Sequence, residues 1–355
     1  MRILNRQEIL DILIGCTILG TGGGGSLKTG TEAIDEALAA GLEFKMLDFS
    51  EVEDDKYYIN PYFTGTIVPE GQQVACTGNE LPDAVKALEK YMNVDFHGVV
   101  SIEYGGGNTG TAMAAAAKLG KFIVDADAAG RAVPELQFST YYVRNQPIDP
   151  MALTSVFGDE MIVQKAVSDP RAEAIARFVA VASGGLVGTA DHPIVGKNLK
   201  TSVIPNALSY AESVGRARRE AAENGTDPIE AILKAGNGKL LFKGTVTAKS
   251  NWYLEDGFTL GNIYLTDAAD GGEVRVWYKN ENMVCWKNDE VVLTCPDLIC
   301  VVETATGMPI TNPNCTEGME LSILGFKCHE LWREERGIDI LNPKFFGFDM
   351  EIKDL

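Results

Sequence analysis

Val99-Val100-Ser101-Ile102-Glu103-Tyr104-Gly105-Gly106-Gly107-Asn108-Thr109-Gly110, an alanine-filled stretch to Leu119, and then Phe122-Ile123-Val124-Asp125-Ala126-Asp127 decide the fold. Val99 to Ile102 is short, apolar and β-branched, the composition of a buried strand. The alanines from about Thr109 to Leu119 predict a helix, and Phe122 to Asp125 a second buried strand. Strand, helix and strand with tight connections read as a right-handed parallel crossover, which brings both strand ends to one sheet edge. Gly105, Gly107 and Gly110 also fit Gly-x-Gly-x-x-Gly between strand and helix, with Asp125 closing the next strand. That is formally the dinucleotide-binding fingerprint. Against it, Glu103, Asp125 and Asp127 converge on the same edge in this reading. A pyrophosphate there would meet like charge at about 4 kcal/mol per unit-charge pair 4 Å apart, for an effective dielectric near 20. Only Arg131 is close in sequence to offset it.

Outward from this unit, Ile9, Leu10, Ile12 and Leu13 fall at helical spacing and lead into Gly20-Thr21-Gly22-Gly23-Gly24-Gly25. Thr31 reads as the N-cap of a helix from Glu32 to Ala40, stopped by Gly41. Leu81, Val85, Leu88 and Met92 mark another amphipathic helix, Asp169-Pro170 starts a further one, and Asn206 to Glu223 is helical. After about Lys239 the pattern changes to short strands at 241–249, 259–266, 273–279, 291–293, 298–303 and 319–326. Turn signals such as Asp270-Gly271-Gly272 and Asn280-Glu281-Asn282 separate them. The expectation is an α/β N-terminal domain with a mainly parallel sheet over residues 1–166. Residues 167–355 should form a helical linker region followed by a β-rich domain, a sandwich or a barrel.

The chain has 355 residues, 45% of them hydrophobic, enough for two cores. Lys plus Arg is 31 and Asp plus Glu 50, a net charge of −19 that opposes binding to nucleic acid and to anionic membranes. No apolar run approaches the roughly 20 residues that span a bilayer, and charge comes too early for a signal peptide. Seven cysteines, with no Cys-x-x-Cys among them, fit reduced thiols in a cytoplasm. The three histidines, His97, His192 and His329, are too scattered for a zinc site built on imidazoles.

Glu103, Asp125 and Asp127 fit three roles: general acid or base, anchors for an N–H-bearing substrate, or hard oxygen ligands of a divalent cation. The two aspartates also have a plain structural reading. Asp127 would cap the Ala128 to Arg131 turn, and Asp125 would pair with Arg131. Four consecutive glycines, Gly22 to Gly25, cost backbone entropy and make sense where the chain must approach a ligand or another chain closely. Asp191-His192 reads as a solvated turn, since adjacent side chains rarely face each other, and Cys76 as a buried structural thiol.

With these motifs in view, the sequence resembles the S-methyl-thiohydantoin desulfurase-like family, whose genes accompany those of hydantoinases and oxoprolinases. The likeness rests on Leu19-Gly20-Thr21-Gly22-Gly23-Gly24-Gly25, Glu103-Tyr104-Gly105-Gly106-Gly107-Asn108 and Val124-Asp125-Ala126-Asp127-Ala128-Ala129-Gly130-Arg131-Ala132-Val133-Pro134-Glu135. It continues with Phe242-Lys243-Gly244-Thr245-Val246, Asn280-Glu281-Asn282, Pro296-Asp297-Leu298-Ile299 and Asn342-Pro343-Lys344-Phe345-Phe346-Gly347-Phe348-Asp349. The resemblance implies hydrolysis of an exocyclic C–S bond on a five-membered thiohydantoin-like ring, with Glu103, Asp125 and Asp127 sharing the acid and base roles. Backbone amides of Gly22 to Gly25 and Gly105 to Gly107 would stabilise developing negative charge, beside Asn108, Arg131 and Glu135. No cofactor is expected, although a divalent cation at the carboxylates stays open. The partners expected are a small-molecule substrate, a second copy of the chain in a homo-oligomer, and a hydantoinase/oxoprolinase-type enzyme. The alternatives are a non-catalytic subunit of such an enzyme, or a nucleotide-binding protein. Where the family has a small-residue run ending in Gly-Ala-Pro near position 66, this chain has Tyr62-Phe63-Thr64-Gly65-Thr66-Ile67-Val68-Pro69. A loop that shapes the pocket would then select a different substrate.

Overall fold

The computed structural model describes residues 1–65 and 74–355; Thr66 to Pro69 of the divergent loop therefore lie outside the described residues. The first sheet contains β1 (Arg2–Leu4), β2 (Phe44–Leu47), β3 (Tyr57–Gly65), β4 (Phe96–Ser101), β5 (Phe122–Asp127), β6 (Met151–Ser155), β7 (Glu160–Val163), β8 (Leu186–Val195) and β9 (Ile204–Pro205). The second contains β10 (Lys239–Val246), β11 (Asn251–Glu255), β12 (Phe258–Asp267), β13 (Glu273–Lys279), β14 (Glu281–Lys287), β15 (Glu290–Thr294), β16 (Leu298–Glu303) and β17 (Glu320–Phe326). Helices are α1 (Arg6–Leu19), α2 (Leu27–Ala39), α3 (Glu80–Met92), α4 (Gly106–Leu119), α5 (Thr140–Val143), α6 (Asp169–Ala182), α7 (Gly196–Ser202), α8 (Ala207–Asn224), α9 (Pro228–Gly236) and α10 (Glu335–Ile340).

Strand order in the first sheet is β1-β2-β5-β4-β3-β8-β6-β7, with β9 added on β5. The βαβ unit is as expected: β4 and β5 pair in parallel, Val99 opposite Ile123, with α4 as the crossover. Parallel pairing extends over the four central strands β2-β5-β4-β3, while β8, β6 and β7 add an antiparallel flank. The sheet is therefore mixed, and β8 and β9 reach it from beyond residue 167. The second sheet is antiparallel, in the order β15-β14-β13-β12-β10-β17-β16 with β11 on β12. It curls about one core formed by Val246, Ile263, Val276, Cys285, Ile299 and Ile323, drawn from strands along its whole width. Strands β11 and β14 escaped the sequence reading. The turn at 280–282 is Asn280 alone, left-handed at φ 56°, so that Glu281 already belongs to β14.

Local signals start the elements. Asn5 and Glu8 close a reciprocal capping box on α1, and Ser168 caps α6 ahead of Asp169-Pro170. Thr31 does not begin a helix. The helix starts one turn earlier, after Ser26, and so carries Gly30 inside it, where α2 meets α4 without a side chain. A Cβ on Gly30 would lie 1.8 Å from Gly106 O, and one on Gly24 would lie 2.3 Å from Tyr104 O. The expected juxtaposition of the two glycine runs is thus present as backbone-on-backbone contact, and the Asn108 N–H donates to Gly24 O at 3.0 Å.

The two sheets meet at a buried joint. Arg131 is fully buried and donates to the carbonyls of Pro296, Asp297 and Asn282 and to Thr21 Oγ1, tying the first glycine turn to the second sheet. Its expected ion pair with Asp125 is absent, because those carbonyls and the Thr21 hydroxyl take its donors. Trp332 adds an indole N–H donated to Ala129 O at 2.7 Å.

The glycine contact makes a prediction. Ala is the better helix former by about 1 kcal/mol, yet Gly30→Ala should destabilise the protein by about 1–3 kcal/mol through overpacking. Gly41→Ala, where no atom lies within 4 Å, should cost only the left-handed backbone penalty of about 1–2 kcal/mol. Urea unfolding of both variants checks this. A Gly30→Ala protein as stable as wild type would refute the close approach.

Candidate functional site

The glycine joint leaves a cleft of about 840 Å³ between the two sheets, within the ordinary range for ligand sites. Its floor is Glu103 and Ile102 after β4, with Gly107, Asn108 and Thr111 of α4. Gly22 to Gly25, Ser26 and Thr29 form one wall, and Tyr62 to Gly65 at the end of β3 another. Asn280, Glu281, Thr311 and Asn312 close it from the second sheet.

Glu103 is buried. Its Oε1 accepts from Asn108 Nδ2 at 2.6 Å and its Oε2 from the Val133 N–H at 2.7 Å. Burial pushes this carboxyl up to about 7, with Asp127 and Glu173 adding to the rise and the two hydrogen bonds opposing it. Glu281 faces it from β14. Its Oε2 has no hydrogen-bond partner among the described residues. Burial first, and the charge of Glu103 second, raise it well above the usual carboxylate range against the pull of Arg131 and Lys279. A Cβ on Gly23 would lie 1.9 Å from Glu281 Oε1, so this glycine makes the room for the carboxyl. Burial raises both carboxyls and the charge of Glu103 raises Glu281 further, so the two titrate as a pair that retains a proton near neutrality.

The other two predicted carboxylates stand elsewhere. In β5 the pleat sends Val124 and Ala126 into one core and Asp125 to the opposite face. There Asp125 accepts from the Ser209 N–H at 2.9 Å and from Ser209 Oγ, holding the start of α8. Asp127 is fully buried and accepts from the N–H groups of Ala129 and Gly130 at 2.9 and 2.6 Å, the turn-capping role. Neither borders the cleft, and the same is true of Gly105, Gly106 and Arg131. The convergence of three carboxylates on one edge does not occur. Glu103, Gly22, Gly23, Gly24, Gly25, Gly107, Asn108 and Glu135 do border the cleft. The faces that Gly105 and Gly107 leave open are filled by Gly24 and Gly25, so these glycines serve chain packing rather than a pyrophosphate.

Several bordering groups were not foreseen. Glu281 was visible only as part of a quoted motif, read as a turn. Glu173 and Arg177, paired one turn apart on α6, also line the cleft. Arg177 donates to the carbonyls of Gly65, Pro134 and Gly257 and lies 4.1 Å above the Phe258 ring. Lys279, on the same ring, pairs with Glu135. Cys76, expected buried, is exposed at the cleft in the segment before α3, its thiol pushed up to about 11 mainly by desolvation. Asp191-His192 is no solvated turn: both are buried, and His192 Nδ1 lies 2.9 Å from Asp191 Oδ1. The left-handed φ of 45° at His192 lets neighbouring side chains meet, at a backbone cost of about 1–3 kcal/mol.

Donors complete the site. Among the described residues the N–H groups of Gly24 and Gly25 have no acceptor, and the first turns of α2 and α4 present Thr29, Gly107 and Asn108 to the cleft. Such amides favour a developing negative charge. Among the described residues no group of three His, Cys, Asp or Glu is disposed to hold a metal, and no helix is long and apolar enough to cross a membrane.

The pKa pattern carries its own prediction. Burial raises Asp127 to about 7, so the folded protein binds its proton more tightly than the unfolded chain. Its contribution to stability is then present at low pH and falls as pH rises through the window from about 4 to 7. Asp127→Asn keeps the Oδ1 acceptor and removes the titration. The fall in melting temperature between about pH 5 and pH 8 should be smaller in the variant than in wild type. Equal falls would contradict a raised carboxyl at this position.

Comparison with known proteins agrees with this architecture. A crystal structure of a protein from Chromobacterium violaceum matches 100% of this chain and 99% of its own at 21% identity, with a TM-score of 0.79, a likeness of fold. No curated protein matches. The S-Me-THD-like N-terminal domain matches residues 7–165 and the S-Me-THD-like C-terminal domain residues 167–355. Together they span nearly the whole chain, which thus belongs to the S-Me-THD-like family.

Proposed function

We propose that the cleft hydrolyses the exocyclic C–S bond of a five-membered thiohydantoin-like ring. The observation that carries this reading is the buried Glu103–Glu281 pair, a proton acceptor and a proton donor on one cleft. The ionised member takes a proton from water, whose oxygen bonds to the ring carbon bearing sulfur. Negative charge passes to the ring nitrogen, beside the free N–H groups of Gly24 and Gly25. The C–S bond then breaks, the sulfur leaves with the bonding pair, and the protonated member supplies the proton that makes it a thiol. The proton taken from water restores the pair. Glu281, buried and without a hydrogen bond at Oε2, is the better keeper of the proton. Glu103, with two donors on its oxygens, is the better base. Asp125 and Asp127 support the frame around them.

Turnover should follow a bell in pH, since one carboxyl must be ionised and one protonated. Glu103→Gln and Glu281→Gln should each lower kcat by about 10²–10⁴-fold, the usual scale for loss of a general acid or base. Glu281→Gln should also remove the alkaline limb. Asp125→Ala should cost about 0.5–2 kcal/mol through the lost cap on Ser209 and leave turnover per folded molecule unchanged. Thiol release from an S-methyl-thiohydantoin, followed with a thiol reagent beside melting curves, measures all three. Full activity in Glu281→Gln would end the reading.

A further inference from the structure

Behind the wall that Tyr62 gives the cleft lies a buried run of polar groups that the hydrolytic steps leave unused. Tyr62 Oη donates to Asp191 Oδ2 at 2.6 Å, and His192 Nδ1 lies 2.9 Å from Asp191 Oδ1. His192 Nε2 then stands 3.8 Å from Asp169 Oδ2. Neither of these atoms has a hydrogen-bond partner among the described residues. The Tyr141 ring is stacked on the imidazole at 4.5 Å. β3, β8, α5 and α6 each contribute a group, and all are buried. A carboxyl and an imidazole nitrogen that face each other in a dry interior, with no other partner, need one proton between them to be satisfied. The left-handed backbone of His192 is the conformation that aims the ring this way.

The far end of the run returns to the cleft. Asp169, Glu173 and Arg177 recur every four residues and so share one face of α6. Glu173 and Arg177 border the cleft, and Arg177 holds the carbonyls of Gly65, Pro134 and Gly257.

We infer that Asp191, His192 and Asp169 form a buried relay that positions Tyr62 and α6 beside the cleft, the unpartnered His192 Nε2 and Asp169 Oδ2 facing each other at its far end. His192 and Asp169 are positioning residues and touch no substrate. Their importance for turnover rests on the hydrolytic reading of the cleft, whereas the coupling of Tyr62 to Asp169 does not. Burial raises the Asp169 carboxyl to about 6, against His192 and with Asp191 and Asp149. The other groups facing the run are Tyr141, Lys165 through its pair with Asp149, and Glu173 with Arg177.

Tyrosine labelled with 13C at Cζ gives the test, the Tyr62 resonance being assigned with Tyr62→Phe. In wild type it should shift with pH, with a midpoint at about 6. The shift should vanish in Asp169→Asn and His192→Gln and persist in His97→Gln. Asp169→Asn preserves shape, so it carries the test if His192→Gln fails to fold. In the thiol-release assay Asp169→Asn should lower kcat about ten-fold with KM nearly unchanged. Absence of turnover in wild type would defeat the hydrolytic reading and leave the Tyr62 titration to decide the relay. A Tyr62 resonance that stays fixed from about pH 5 to 8, or that titrates equally in Asp169→Asn, overturns the relay.

Discussion

Two stretches of chain some eighty residues apart touch through their backbones, and the architecture depends on that contact. Gly24 meets Tyr104 and Gly105, Gly25 meets Gly107, and Gly30 meets Gly106, at spacings where any Cβ would collide with main-chain atoms. This holds α2 against α4 and brings the α1–α2 turn over the C-terminal end of β4. Glycine loses the most entropy on ordering, so the contact must be offset by what it organises. It organises a turn that bonds the second sheet: the Asn282 N–H donates to Thr21 O and the Asn312 N–H to Gly22 O.

Placement of charge follows from the same turn. A side chain at position 23 would collide with the Glu281 carboxyl. With glycine there, Glu281 can lie buried opposite Glu103, where burial leaves either ion poorly solvated. Burying an unpaired carboxylate is costly, and the available escape is to keep a proton. Raised carboxyls are therefore a consequence of how the two sheets meet, not a property of either glutamate. Arg131, in the joint behind the glycine turn, donates to carbonyls and a hydroxyl and leaves Glu281 only a long-range counter-charge.

How much of this was legible in the chain depends on range. Periodicity and β-branched runs gave β4, α4 and β5 and the strand-rich character after Lys239, because these patterns report which face of a single element is buried. The density of glycine also announced that Gly22–Gly25 and Gly105–Gly107 need close approach. Glu103 could be picked out because it follows a parallel strand, where the sheet edge lies open.

The sequence by itself determined the βαβ unit, the longer helices, the strand-rich second half and the presence of a carboxyl at the edge of β4, since each depends on contacts a few residues apart. Only the tertiary structure decided which carboxyls lie together. Asp125 and Asp127, adjacent in the motif, turn to a helix start and to a tight loop, whereas Glu281, nearly 180 residues from Glu103, becomes its partner. The same holds for Asp191-His192, whose local sequence suggests a wet turn and whose packing against Tyr141 and α6 makes it a dry network. Spacing along the chain says nothing about pairings across two sheets, because these are set by how the sheets fold onto one another and by the water they exclude.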